Sequence, residues 1–195
     1  MIESVSNLDE RVFLALNQLH TSWLDPVMMW CSGNLIWLPL YVLLVYQLLK
    51  ISRTHAAVAL VCVAIGITLS DQFTSTLLKP MIERPRPTWN PDIDTLVHTV
   101  DGYRGGRYGF PSSHAANTFC VAVLLNLVIR KRWVRWLFLW AALVSYSRIY
   151  LGVHYPGDIL TGAALGSIFG VITYRLYVAA CKGIDKMKAE KAIRP

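Results

Sequence analysis

Apolar residues along this chain gather into long runs separated by short polar stretches, and five of the runs have membrane dimensions: 31–49, 56–78, 112–129, 133–151 and 157–180. A helix rises 1.5 Å per residue, so about 20 predominantly apolar residues cross a hydrocarbon core. The runs therefore predict five membrane helices. The first thirty residues differ. Leu8, Val12, Leu16 and Leu19 recur at helical spacing, but Asp9, Glu10, Arg11, Asn17 and His20 interrupt any long apolar run. That pattern predicts an interfacial helix, with a sixth span as the alternative. The expected fold is an all-α polytopic membrane helix bundle, with five or six transmembrane helices plus the N-terminal interfacial helix, in a single domain over 1–195.

Composition agrees. Of 195 residues, 54% are hydrophobic and 16% charged, and the mean hydropathy of +0.42 excludes an ordinary soluble domain. Cys31, Cys62, Cys120 and Cys181 are widely spaced with no CxxC or Cys/His pattern, and read as small core residues. The N-terminus lacks the basic region and small-residue cleavage site of a signal peptide, so it is expected to stay in the mature protein. Trp23, Trp30, Trp37, Trp89, Trp133, Trp136 and Trp140 read as interfacial anchors.

The cations set an orientation. Lys50, Arg53, Arg130, Lys131, Arg132, Arg135, Arg175, Lys182, Lys186, Lys188, Lys191 and Arg194 fall on one side, which the positive-inside rule makes cytoplasmic. With five spans, the other seven of the nineteen, Arg11, Lys79, Arg84, Arg86, Arg104, Arg107 and Arg148, fall on the outer side. The net charge of +7 flanks apolar spans and forms no soluble basic patch, which excludes nucleic acid as a partner. The basic tail, about 182–195, suits anionic inner-leaflet lipids.

Three clusters converge on the outer face: Lys79–Pro87 (KPMIERPRP), GFPSSH ending at His114, and SRIYLGVHYPGD from Ser147 to Asp158. Lysine supplies a point charge and arginine a planar fork of donors. A helix opened by Pro-Ser-Ser exposes N–H groups that favour an oxyanion. This inventory suits a phosphate. Either His114 or His154 could attack phosphorus on chemical grounds, and Asp158, four residues beyond His154, favours the latter because it can orient the ring.

Lys79, six residues, Arg86-Pro87; Pro111-Ser112-Ser113-His114; Ser147-Arg148, five residues, His154, three residues, Asp158: these blocks, spanning 79–158 in order, resemble the three-part signature of the type 2 phosphatidic acid phosphatase superfamily. One departure is Ser113, where the family usually has Gly; its backbone N–H remains, but a side chain intrudes. The resemblance implies His154 as a nucleophile forming a phosphohistidine, with Asp158 fixing its tautomer. It implies His114 as the proton donor and later the assistant of water, and Lys79, Arg86, Ser112, Ser113 and Arg148 as phosphate ligands. It implies no metal and no cofactor, and no carboxylate cluster suggests otherwise. Arg84 lies just outside the matched positions, as a solvated or headgroup-facing arginine or a phosphate ligand. Ser147 orients the loop or a phosphate ligand.

The expected activity is metal-independent hydrolysis of a lipid phosphate or diphosphate: undecaprenyl diphosphate, phosphatidylglycerol phosphate, phosphatidic acid, or a phosphorylated outer-membrane lipid. The alternatives are a phosphotransferase between lipids and a non-enzymatic lipid-phosphate transporter. The expected partners are the lipid substrate and membrane lipids, with no obligatory protein partner. The expected location is a bacterial inner membrane, with the site facing the periplasm or exterior and the C-terminus cytoplasmic. Asp71, inside a span, reads as a buried hydrogen-bond partner, with a proton or substrate pathway as the alternative. Gly162, Gly166 and Gly170 read as a packing stripe, and the 88–110 loop, with Trp89, Tyr103, Arg104, Arg107 and Tyr108, as the selectivity element.

Overall fold

The computed structural model describes residues 2–193, so Arg194 of the basic tail lies outside the described residues. The described chain is helical, without a named strand. Helix α1 (Ile2–Asn17) is followed by α2 (Leu24–Ser32) and α3 (Leu38–Leu49), and then by α4 (Arg53–Asp71). A π-helical stretch, Gln72–Leu78, joins α4 to a last turn, α5 (Lys79–Ile82), in one continuous 30-residue rod. After the loop come α6 (Ser113–Ile129), α7 (Trp136–Tyr150) and α8 (Pro156–Ile193).

Each apolar run lies on helix, with local differences of physical origin. The run 31–49 is broken, and the axes of Leu24–Ser32 and Leu35–Leu49 differ by 77°. Gly33 caps α2 in an extended conformation, its N–H on the Trp30 carbonyl, and Trp37 Nε1 donates to the Cys31 carbonyl across the break. The run 157–180 continues as helix to Ile193 because its Lys- and Ala-rich extension is made of good helix formers. By length and apolarity, Arg53–Ile82 and Pro156–Lys191 can each cross a membrane, and the bent α2–α3 pair makes a third candidate; α6 is apolar but shorter. Leu43, Val61, Leu139, Leu160 and Ile168 are exposed, as lipid-facing side chains are.

The closest packing joins α6 to α8. Gly166 lies against the Ala116 backbone, Gly162 against Ser112 and Ala115, and Gly170 against Cys120 and Val123, so the small-residue stripe lets two backbones touch. The four cysteines are buried free thiols. The anchoring role expected of Trp140 is corrected. Only 8% of it is exposed, and it packs edge-on against Trp37 and Tyr41 in the core. At one end of the bundle, Lys131 bonds Gln47, Lys188 bonds Thr54 and His55 meets Asp185, which gathers the basic loops and tail there.

Candidate active site

At the other end, the last turn of the rod, the loop after it, the start of α6, the end of α7 and the break between α2 and α3 meet around a cavity of about 340 Å³. Lys79, Arg86, His114 and Arg148 line it together with Ser113, so five of the expected groups share one space. Arg86 is 8% exposed and Arg148 3%. Burial, and then the neighbouring Arg148, lower the pKa of Arg86 from its ordinary value, but a guanidinium remains charged. Arg148 bonds Ser32 and, at 2.9 Å, the Tyr103 hydroxyl, while its buried Nε has no partner among the described residues.

His154 is 1% exposed and is not a lining residue. Its Nδ1 lies 3.2 Å from Asp158 Oδ2 and its Nε2 3.2 Å from Arg86 Nη1, so the ring meets the cavity through that guanidinium. Asp158 is fully buried and also accepts the Tyr155 N–H at 3.0 Å. An ionised carboxylate beside Nδ1 places the ring proton there and leaves the Nε2 lone pair outward. Burial first, then the charges of Arg86, Arg148 and Lys79, hold the His154 ring well below the ordinary imidazole range, so it is neutral near pH 7.

The two serines occupy different places. Ser112 is fully buried; its N–H donates to the Asp158 carbonyl at 3.0 Å and its Oγ caps α6, which ties the second block to the third. It does not line the cavity. Ser113 turns its hydroxyl toward the rod, where Lys79 Nζ (3.0 Å), Thr74 Oγ1 (2.9 Å) and Ser75 Oγ (2.8 Å) converge on it. The π-helix makes this possible. In an α-helix, residues five apart point about 140° apart, whereas i→i+5 winding brings Thr74 and Lys79 onto one face.

Asp71 accepts from Asn117 Nδ2 at 3.3 Å and lines the same cavity. Gly105, Gly106 and Tyr103 bring the expected selectivity loop to its wall. Ser147 is fully buried, bonded to the Val144 carbonyl, and faces no ligand space. Trp37 and Trp140, expected as anchors, line the cavity together with Tyr41. An apolar cavity of about 500 Å³ adjoins it, sharing Asn34, Tyr41, Asn117, Thr118 and Trp140 and continuing along Leu44, Leu60 and Leu125.

Sequence reasoning missed the surroundings of Arg84. This residue bonds Asp158 Oδ1 at 2.9 Å and Asp9 Oδ2 at 2.8 Å, with its guanidinium 4.0 Å over the Tyr155 ring. The acids that interrupt the apolar run of α1 are its only signal.

The chain is 43% identical to the lipid A 4'-phosphatase of Bacteroides thetaiotaomicron over 180 residues, covering 89% of this chain and 79% of the relative. It is 35% identical to the lipid A 4'-phosphatase of Porphyromonas gingivalis, covering 92% and 77%. The crystal structure of a transmembrane PAP2 type phosphatidylglycerolphosphate phosphatase from Bacillus subtilis superimposes with a TM-score of 0.63 at 27% identity, covering 94% of this chain and 87% of that one. Aquifex aeolicus LpxE superimposes at 0.61 and 26%, covering 86% and 95%. The family model of the PAP2 superfamily matches residues 57–181, which include every expected site residue, and the chain belongs to that superfamily.

Proposed function

We propose that this membrane enzyme, a phosphoric monoester hydrolase of the PAP2 type, removes a phosphate from a lipid at the extracytoplasmic face through a phosphohistidine on His154. The observation that carries the proposal is the convergence of Lys79, Arg86, Arg148 and His114 on one cavity backed by the His154–Asp158 pair. Phosphate oxygens recruit the three cations, which draws the Arg86 guanidinium off Nε2 and frees its lone pair. A bond forms between Nε2 and phosphorus as the ester P–O bond breaks, and His114 gives the leaving oxygen its proton. Water then attacks phosphorus and gives a proton to His114 as the P–Nε2 bond breaks, which returns its electron pair to His154 and releases inorganic phosphate. Ser113 contributes by seating Lys79, and Ser112 by holding α6 against Asp158.

The substrate is a lipid phosphate whose chains occupy the adjoining apolar cavity. The two relatives with 43% and 35% identity, lipid A 4'-phosphatases, favour lipid A with its 4' phosphate as the substrate. The bent α2–α3 pair, the α4–α5 rod, α6, α7 and α8 serve as five crossings, with α1 at the outer interface and the basic end cytoplasmic. The test is inorganic phosphate release by purified protein from lipid A, phosphatidylglycerol phosphate, undecaprenyl diphosphate and phosphatidic acid, with His154→Ala beside it. Release is expected to be fastest from lipid A, with acid-labile phosphoprotein trapped on rapid quenching, and to be lost in His154→Ala. Full release by His154→Ala would sink the mechanism, and a preference for another lipid would sink the substrate assignment.

A further inference from the structure

By its pattern of residues, helix α1 is an amphipathic surface helix interrupted by polar side chains. In the fold two of the interruptions, Asp9 and Asn17, face inward. Asp9, Phe13 and Asn17 recur every four residues and so share one helix face, and that face grips the α7–α8 turn carrying His154. Phe13 packs edge-on against Tyr155 with ring centroids 5.4 Å apart. Asn17 is fully buried and donates to the carbonyls of Ile149 and Tyr150. Asp9 Oδ1 accepts the Gly157 N–H at 2.8 Å, at the first turn of α8, while Oδ2 takes Arg84. A methyl on Gly157 would lie 2.7 Å from Asp9 Oδ2, so an alanine there displaces the Asp9 carboxylate.

These contacts form a line of alternating charge, Asp9, Arg84 and Asp158, that ends on the His154 ring. Asp158 has no exposed surface, and a buried carboxylate stays ionised only beside a compensating cation. Arg84 supplies one, from the side opposite the ring. It takes Oδ1 and leaves Oδ2 to His154 Nδ1 and the Tyr155 N–H. Arg84 does not line the phosphate cavity, so its charge is directed at Asp158.

We propose that Arg84 and Asp9 are positioning residues for the reaction: Arg84 keeps the Asp158 carboxylate charged and turned toward His154, and Asp9 holds Arg84 in place while fastening α1 to the start of α8. The inference rests on the proposed roles of His154 as nucleophile and Asp158 as its partner. It makes α1, which lies outside the matched 57–181 segment, part of the working site. With Arg84 gone, Asp158 takes up a proton, accepts more weakly from Nδ1–H, and no longer holds the neutral tautomer whose Nε2 attacks.

The experiment uses the full chain in detergent micelles, with phosphate release from dioctanoyl phosphatidic acid or from whichever panel lipid is cleaved fastest, for Arg84→Gln, Arg84→Lys, Asp9→Asn, Gly157→Ala and His154→Ala. Arg84→Gln is expected to lower kcat roughly tenfold or more, with KM within about twofold, and to move the acid limb of the pH–rate profile to higher pH. Arg84→Lys recovers part of the loss. Asp9→Asn and Gly157→Ala change the profile in the same direction by less. Melting temperatures measured alongside score the folded fraction. Unchanged kcat and profile in Arg84→Gln and Asp9→Asn would overturn the proposal. So would a raised KM at constant kcat, which would make Arg84 a substrate ligand. Activity falling only with the folded fraction, on an unshifted profile, would reduce the pair to a brace and overturn it too. If His154→Ala keeps its activity, the phosphohistidine mechanism fails; if His154→Ala is inactive and Arg84→Gln is normal, only the positioning role fails.

Discussion

Replacing Gly166 with alanine adds one methyl at the closest approach of α6 and α8. Built on the present backbone, that methyl overlaps the Ala116 carbonyl oxygen and lies 2.7 Å from the carbonyl carbon and 2.8 Å from Cα. Ordinary contact begins near 3.4 Å. The obstacle is backbone, which has no rotamer to change, so the helices must part by at least about 0.7 Å to clear the carbonyl carbon, and by more to clear its oxygen; overpacking of this kind costs about 1–3 kcal/mol. Alanine's better helix propensity returns up to about 1 kcal/mol, which a control isolates. Gly183→Ala lies on the same helix with nothing within 4 Å of the new methyl, and should be neutral or slightly stabilising. The expected result is a melting temperature for Gly166→Ala below that of Gly183→Ala by about 2–12 °C in detergent. Activity should fall with it. Helix α6 brings Ser113 and His114 to the cavity, α8 brings Asp158 to the His154 ring, and the Ser112–Asp158 bond of 3.0 Å spans them, so a shift of half an ångström costs roughly tenfold in kcat. If Gly166→Ala melts with Gly183→Ala and keeps full activity, the close packing is not what holds the two halves of the site together.

Three further outcomes are expected. Ser113→Gly removes the acceptor that seats Lys79 and leaves Thr74 and Ser75 without a shared partner; at about 1 kcal/mol for a lost hydrogen bond, kcat/KM should fall roughly fivefold. Equal kcat/KM in wild type and variant would show that Lys79 does not need it. Arg148→Lys keeps charge but loses the planar fork that spans Ser32 and Tyr103, and should raise KM roughly tenfold in phosphate-release assays. The third concerns pH. The folded His154 pKa is depressed below 6.5, so on acidification the unfolded chain takes a proton that the folded chain refuses, and stability falls as pH drops below about 6.5. This group contributes at most about 1.4 kcal/mol per pH unit; His154→Gln should flatten the melting temperature's dependence on pH between about 6.5 and 5, and an unchanged slope would refute the assignment.

Much of the architecture was legible because a membrane simplifies the rules: apolar length marks a helix, and glycines at 162, 166 and 170 mark where two helices touch. Lys79, Arg86, His114 and Arg148, which line the cavity, were also legible, since their chemistry is uncommon and their order fixed. What escaped was set by tertiary partners. Nothing local distinguishes the buried cavity wall at Trp140 from the interfacial anchor that most membrane tryptophans are. Asp9 and Asn17 look like breaks in an apolar stripe until the α7–α8 turn is brought against them. The serine hydroxyl at 113, which local sequence makes an intruder in the pocket, finds its place only because Thr74, Ser75 and Lys79 come from another helix.

The winding at Gln72–Leu78 has a consequence for how that rod can vary. A π turn absorbs extra chain without advancing the pattern of faces by the α-helical step, so the segments before and after it are out of phase and no single helical wheel describes both. Length and orientation are thereby uncoupled. Removing one residue between 72 and 78 would let that turn relax to α-helical winding with Lys79 still on its face, whereas removing one from the α-helical part of the rod would swing the Lys79–Ile82 turn by about 100°. Lys79 would then face away from Ser113. By composition this is the mildest of edits, yet in geometry it relocates a charge.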